Sequence, residues 1–124
     1  MRLLLDTHAL LWWLADSGLD PIAADAVSDP QNDVFVSAAS VWEVAIKKAL
    51  GKLSAPDDLE EAIVGNGFEP LSISLAHATK AGELPPHHQD PFDRMLIAQA
   101  QLENLTTVTR DARFQPYDVP ILTA

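Results

Sequence analysis

Short apolar or β-branched runs alternate with helix-forming stretches from one end of this 124-residue chain to the other. That alternation restricts the fold sharply, because strands separated by helical crossovers pair in parallel, with helices packed over both faces of the sheet. The strand-like runs are Arg2–Leu5, Asp33–Val36, Phe68–Ile73 (weakened by Pro70), Leu105–Thr109 and, at an edge, Val119–Leu122. Between them, Thr7–Leu14 is a helix apolar nearly all round, and Asp20-Pro21 opens a short helix through Val27. Ser37 caps a helix over Ala38–Leu50 that Gly51 closes, with Ala38, Val41, Trp42, Ala45 and Ala49 spaced as its core face. An acidic helix starts at Pro56–Glu61 and ends near Gly65–Gly67, and Ser74–Gly82 is another short helix. No repeat, linker or low-complexity tract interrupts the pattern. The expectation is one α/β domain over residues 1–124, with a mostly parallel central sheet and helices on both faces.

The segment His87–Leu102, HHQDPFDRMLIAQAQL, carries the strongest chemical signal. Asp90 is a good helix cap, Pro91 suits the first helical position, and Asp93 falls at the third, near the positive end of the helix dipole. Phe92, Met95, Leu96 and Ala100 follow at helical spacing and give the helix a buried face. Capping alone explains Asp-x-x-Asp at a helix start, so the positions of other carboxylates decide whether there is more. Asp6 and Asp111 each follow directly after a predicted strand, and parallel strands end on one edge, where open α/β sheets bind ligands. Glu43 lies off the apolar stripe of its helix, and a surface pair with Lys47 at i+4 accounts for it just as simply. Topology therefore allows Asp6, Glu43, Asp93 and Asp111 to share a pocket. Two like charges 4 Å apart cost about 4 kcal/mol at an effective dielectric of 20. Such a cluster needs protons or a cation, and oxygen-only ligands select Mg²⁺ or Mn²⁺, ions that act on phosphate esters.

Eighteen acidic residues against eight Lys and Arg leave a net charge of −10, the wrong sign for holding nucleic acid by surface electrostatics. A bound cation or a basic partner resolves that sign locally. The absence of cysteine excludes disulfides, thiolate metal sites and thiol nucleophiles. The longest apolar run, Ala9–Ala15, is too short to span a bilayer, and Asp6 and His8 interrupt the apolar region a signal peptide requires. A cytoplasmic protein is expected. There is no G-x-S-x-G, G-x-G-x-x-G or P-loop, and His8 stands where the haloacid-dehalogenase phosphatases need a second Asp. His87 and His88 are poorly spaced for one metal and read as a polar loop; His8 and His77 read as packed or solvated. Trp12 and Trp13 point about 100° apart on their helix, so one core face does not bury both, and an apolar partner surface is expected there.

Four blocks carry a family likeness: LLLDTHALLWWL at Leu3–Leu14, SVWEVAIKKALGKL at Ser40–Leu53, HHQDPFDRMLIAQA at His87–Ala100 and TVTRDARF at Thr107–Phe114. In that order they resemble the PIN-domain ribonucleases, above all the VapC toxins of bacterial type II toxin–antitoxin pairs. The resemblance implies a PIN-like three-layer fold and an acidic metal site on Asp6, Glu43, Asp93 and Asp111, with Asp111 at the position where the family's last acid varies. It also implies Mg²⁺ or Mn²⁺ as cofactor, cleavage of cellular RNA, a homodimer, and silencing by a cognate antitoxin that covers the pocket. Asp90 stays a cap bordering the site, Thr7 a hydrogen-bonding neighbour, and Lys47, Lys48, Lys52, Arg110 and Arg113 the cations available to RNA. Asp57–Ile73 carries no family signature. Two other readings stay open: a PIN-fold binding protein of weak activity that acts through an antitoxin complex in repression, and a phosphatase or DNA nuclease using the same cation.

Overall fold

Leu3, Leu4 and Leu5 are completely buried because β1 (Arg2–Leu5) lies at the centre of a five-stranded sheet in the computed structural model, which describes residues 1–124. β1 pairs in parallel with β2 (Asp33–Ser37) on one side and β4 (Thr106–Thr109) on the other. β3 (Glu69–Leu71) adds to β2 and β5 (Ile121–Thr123) to β4, giving the all-parallel order β3-β2-β1-β4-β5. Side chains alternate along a strand, so Leu3 and Leu5 meet one helical layer and Leu4 the other. The first layer holds α1 (Thr7–Leu14), α2 (Pro21–Ser28) and α4 (Leu59–Gly65), which contribute Leu10, Val27 and Ile63. The second holds α5 (Leu75–Glu83) and α6 (Pro91–Glu103), with Ala81, Leu96 and Ile97 packed beside Phe114. α3 (Ala38–Ala49) reaches both, through Val44 and Ala39. Each fully buried leucine stabilises the fold by about 1.5–3 kcal/mol relative to exposure. The expected three-layer α/β architecture is present, and no helix is long and apolar enough to cross a membrane.

Pro70 pairs opposite Val36 inside β3, which is tolerated because β3 is an edge strand with a free side for the missing donor. The same residue explains why β3 is shorter than the expected Phe68–Ile73.

Two faces differ from the sequence pattern. In α3 the expected core stripe is mostly turned outward: Ala38, Trp42, Ala45 and Ala49 are exposed, and only Val41 stays half-buried against the core. The buried side is Ala39, Ser40, Glu43 and Val44, while Trp42 is 61% exposed and packs edge-on against Phe92 at 5.1 Å. Ser40 and Glu43 accept burial because they are partnered inside, by Thr7 and, for Glu43, Lys47. In α1 both tryptophans are half-buried, as expected of two side chains that one core face does not fully cover, and what shields them in part is their own chain. The Arg110 guanidinium sits 3.7 Å from the Trp12 ring centre, and Trp13 packs on Phe68 while its Nε1 donates to Asn66 Oδ1 at 3.0 Å. The most exposed large apolar side chains are Leu75, Ile22, Leu50, Val64, Trp42 and Met1.

Candidate functional site

β1 and β4 lie side by side at the point where strand order reverses, and an aspartate stands just beyond each. Asp6 caps α1, its Oδ1 accepting the Ala9 N–H at 2.8 Å. Only 6% of it is exposed. Burial pushes its carboxyl above the usual range, while hydrogen bonds from the Thr109 side chain and the Ala9 amide restrain the rise. Asp111 caps the single 3₁₀ turn Ala112–Phe114. Its Oδ1 accepts the Arg113 N–H at 2.9 Å, and the Arg113 guanidinium engages both carboxylate oxygens, at 3.0 and 2.8 Å. That fork holds the Asp111 carboxyl below the ordinary range.

The third and fourth contributions come from helices. Asp90 caps α6 by accepting the Asp93 N–H at 3.0 Å, which fixes the backbone that carries Asp93. Burial, then the nearby charges of Asp90, Asp6, Glu43 and Asp111, push the Asp93 carboxyl up to about 8. Glu43 projects from α3, 4% exposed, with Oε1 accepting the Thr7 hydroxyl and Oε2 accepting Lys47 Nζ, each at 2.6 Å. The i+4 pair with Lys47 forms, but not as the surface pair that accounted for Glu43 in the sequence: Glu43 is buried at the cleft. Hydrogen bonding to Glu43 raises the Lys47 ammonium in turn.

Asp6, Glu43, Asp93 and Asp111 thus line one cleft of about 240 Å³, together with Asp90. Lys47, Arg110 and Arg113 supply its positive wall, and His8 and Trp12 its rim. Lys48 is engaged by Asp57 elsewhere.

The sequence reading missed His88. Expected in a polar loop, it is 1% exposed. Its Nε2 lies 2.8 Å from Asp93 Oδ2 and 3.5 Å from Asp111 Oδ2, its backbone N–H donates to the Tyr117 hydroxyl at 2.9 Å, and its ring meets Phe114 edge-on. The donor atoms of His88, Asp93 and Asp111 fall within 4.8 Å of one another. No regular spacing announces this, since only the turn before α6 and the chain around Tyr117 bring the ring inward. His87 stays outside against Tyr117. His77 is packed as expected, closing a reciprocal cap with Ser74 and meeting Glu103 at 2.8 Å.

The donors fit a hard divalent cation: they are mainly carboxylate oxygens, and Asp93, lifted first by burial and then by its acidic neighbours, lies where a cation would offset that crowding of negative charge. Asp6→Asn is accordingly expected to leave the metal-free protein as stable as wild type or more so, because Asn keeps the cap and removes a buried charge. Thermal melting in EDTA checks this; a clear drop in Tm would show that the Asp6 charge is needed for the fold itself.

The model of the PIN domain family matches residues 3–120 of this chain. Among characterised proteins, Ribonuclease VapC16 of Mycobacterium tuberculosis is 39% identical over 67 residues, spanning 45% of this chain and 48% of that one. Ribonuclease VapC22 of the same organism is 28% identical over 124 residues, with 94% and 92% coverage. Among solved structures, VapBC2 from Rickettsia felis bound to a DNA fragment from its promoter superposes with a TM-score of 0.73 at 16% identity, covering 98% of both chains.

Proposed function

This chain belongs to the PIN-domain family, and from that premise we propose that it is a divalent-metal-dependent endoribonuclease of the VapC toxin type, acting on cellular RNA. The observation that carries the reading is the convergence of Asp6, Glu43, Asp93 and Asp111 on one cleft. The ribonuclease names of the two curated relatives support the substrate class.

In this reading Asp6, Glu43, Asp93 and Asp111 hold Mg²⁺ or Mn²⁺. A bound cation of this kind stabilises charge on the attacked phosphate and makes hydroxide available near neutral pH. The chain does the rest by position. Lys47 and Thr7 fix the Glu43 carboxylate, Arg113 fixes Asp111, and Asp6 and Asp111 each accept a backbone N–H. Arg110, stacked on Trp12 at the cleft, offers a planar cation to RNA phosphates. Lys47 and Arg113 are paired with Glu43 and Asp111, so a bound cation is what offsets the remaining negative charge of the cleft toward nucleic acid. A toxin of this type is paired with an antitoxin, as in the toxin-antitoxin complex from Klebsiella pneumoniae, which superposes with a TM-score of 0.65 at 22% identity. The exposed apolar surface around Trp42 is where a partner protein, antitoxin or second copy, is expected to pack.

The test is cleavage by purified, partner-free protein. RNA is expected to be cut with Mg²⁺ or Mn²⁺ and to survive in EDTA, with double-stranded DNA left intact. Undiminished cleavage in EDTA overturns the metal dependence, and activity confined to DNA overturns the substrate class.

A further inference from the structure

We infer that His88 is a positioning residue: its imidazole holds the Asp93 carboxyl, beside that of Asp111, in the orientation in which it meets a cation. This rests on the metal-site reading above and adds a residue to it.

Three contacts carry the argument. The Asp90 backbone N–H points at His88 Nδ1, at 3.3 Å, so Nδ1 is the accepting nitrogen and the ring proton sits on Nε2. Nε2–H then faces Asp93 Oδ2 at 2.8 Å and Asp111 Oδ2 at 3.5 Å. Asp93 sits in the first turn of α6 and Asp111 follows β4, so the N–H that donates to Asp93 also lies close to a carboxylate carried by a different element. The ring cannot drift: it is buried, edge-on to Phe114 at 5.8 Å, and its main chain is held by the Tyr117 hydroxyl. Arg94 adds a fourth restraint by donating to the His88 carbonyl at 3.0 Å.

Such an arrangement does what carboxylate ligands alone do not. A donor behind Asp93 fixes that carboxyl toward the cleft, next to Asp111, at no cost in net charge. It leaves the other Asp93 oxygen, Oδ1, without a hydrogen bond from the protein. Hydrogen bonds from groups behind the ligands commonly set ligand orientation, and their loss costs about 10–100-fold in metal affinity or activity. His88 is the one imidazole in the chain so placed.

The experiment is calorimetric titration of Mn²⁺ into the partner-free protein, comparing wild type with His88→Gln, His88→Asn and His88→Ala. The Gln amide nitrogen reaches the place of Nε2, whereas the Asn amide stops near Nδ1. Ala and Asn are expected to weaken Mn²⁺ binding by about 10–100-fold, and Gln to restore most of it. If His88→Ala does not fold, as judged by circular dichroism, the Gln–Asn pair decides alone. Equal affinity in all folded variants and wild type overturns the inference. Equal loss in Gln and Asn also overturns it, in favour of direct ligation by the imidazole. Wild type that binds no Mn²⁺ overturns the metal reading and this inference with it, a result distinct from wild-type binding that is indifferent to residue 88.

Discussion

Asp93→Asn is expected to reduce RNA cleavage by at least about 10²-fold while leaving the protein folded. The size follows from losing charge stabilisation in the transition state, where removal of even one oriented donor costs about 10²–10³-fold. The fold survives because Asn retains an oxygen for the 2.8 Å contact with His88 Nε2, and the Asp93 backbone N–H keeps its bond to Asp90. Above pH 8 the variant is also expected to be the more stable of the two in EDTA, since wild type must then carry a buried anion among four other acids. Single-turnover cleavage and melting curves on the same preparations check both halves. Near-wild-type cleavage by a folded Asp93→Asn protein would remove Asp93 from the site.

The metal-free protein is expected to lose stability as pH rises from about 4 to 8. Asp93 releases its proton near 3.8 when unfolded but holds it to about 8 when folded. Between those values the folded state binds more protons, so the unfolding free energy falls with pH, by at most about 1.4 kcal/mol per unit. Asp6, also raised by burial, acts in the same direction. Asp111, whose carboxyl is lowered by Arg113, acts oppositely, and its contribution is lost only at the acid end. Denaturation in EDTA from pH 5 to 8.5, on wild type and Asp93→Asn, isolates the Asp93 contribution as the difference between the profiles. Parallel profiles would mean that Asp93 ionises normally. Because a cation must displace the Asp93 proton, Mn²⁺ should bind more tightly as pH approaches 8.

Much of this was legible in the chain because local rules and tertiary structure agree. Arg2–Leu5 reads as a buried strand and is one. Asp6, Asp90 and Asp111 read as residues at element boundaries, and the structure makes each a cap. Those boundaries also fix the C-terminal edge of a parallel sheet, so placing the aspartates there placed them together. α3 misled for a definable reason. Apolar periodicity weighs an indole as a core residue and a glutamate as a surface one, yet Glu43 is inside because Thr7 and Lys47 satisfy it, and Trp42 is outside. Partners on other elements leave no trace in the spacing of one helix. The same holds for His88, whose carboxylate contacts depend on the path of the turn before α6 and on the chain following β4. Trp12 and Trp13 looked too many for one core face. Arg110 and Asn66, distant in sequence, meet the parts that the core does not.

That the site aspartates double as helix caps has a consequence for how such a chain ages. Asp6, Asp90 and Asp111 each accept a backbone N–H at an element's start, so selection for folding alone retains them, or exchanges them for Asn or Ser, after any selection for cleavage has ceased. A silent descendant would keep most of the acidic signature. Glu43 caps nothing; inside α3 it is a buried charge held by a hydroxyl and a lysine, a position that drifts to an apolar residue once its task is gone. Asp93, whose side chain caps nothing either, shares that character, so residues 43 and 93 are the informative witnesses of an activity still in use among diverging copies of this gene, and the capping aspartates are the poorer ones.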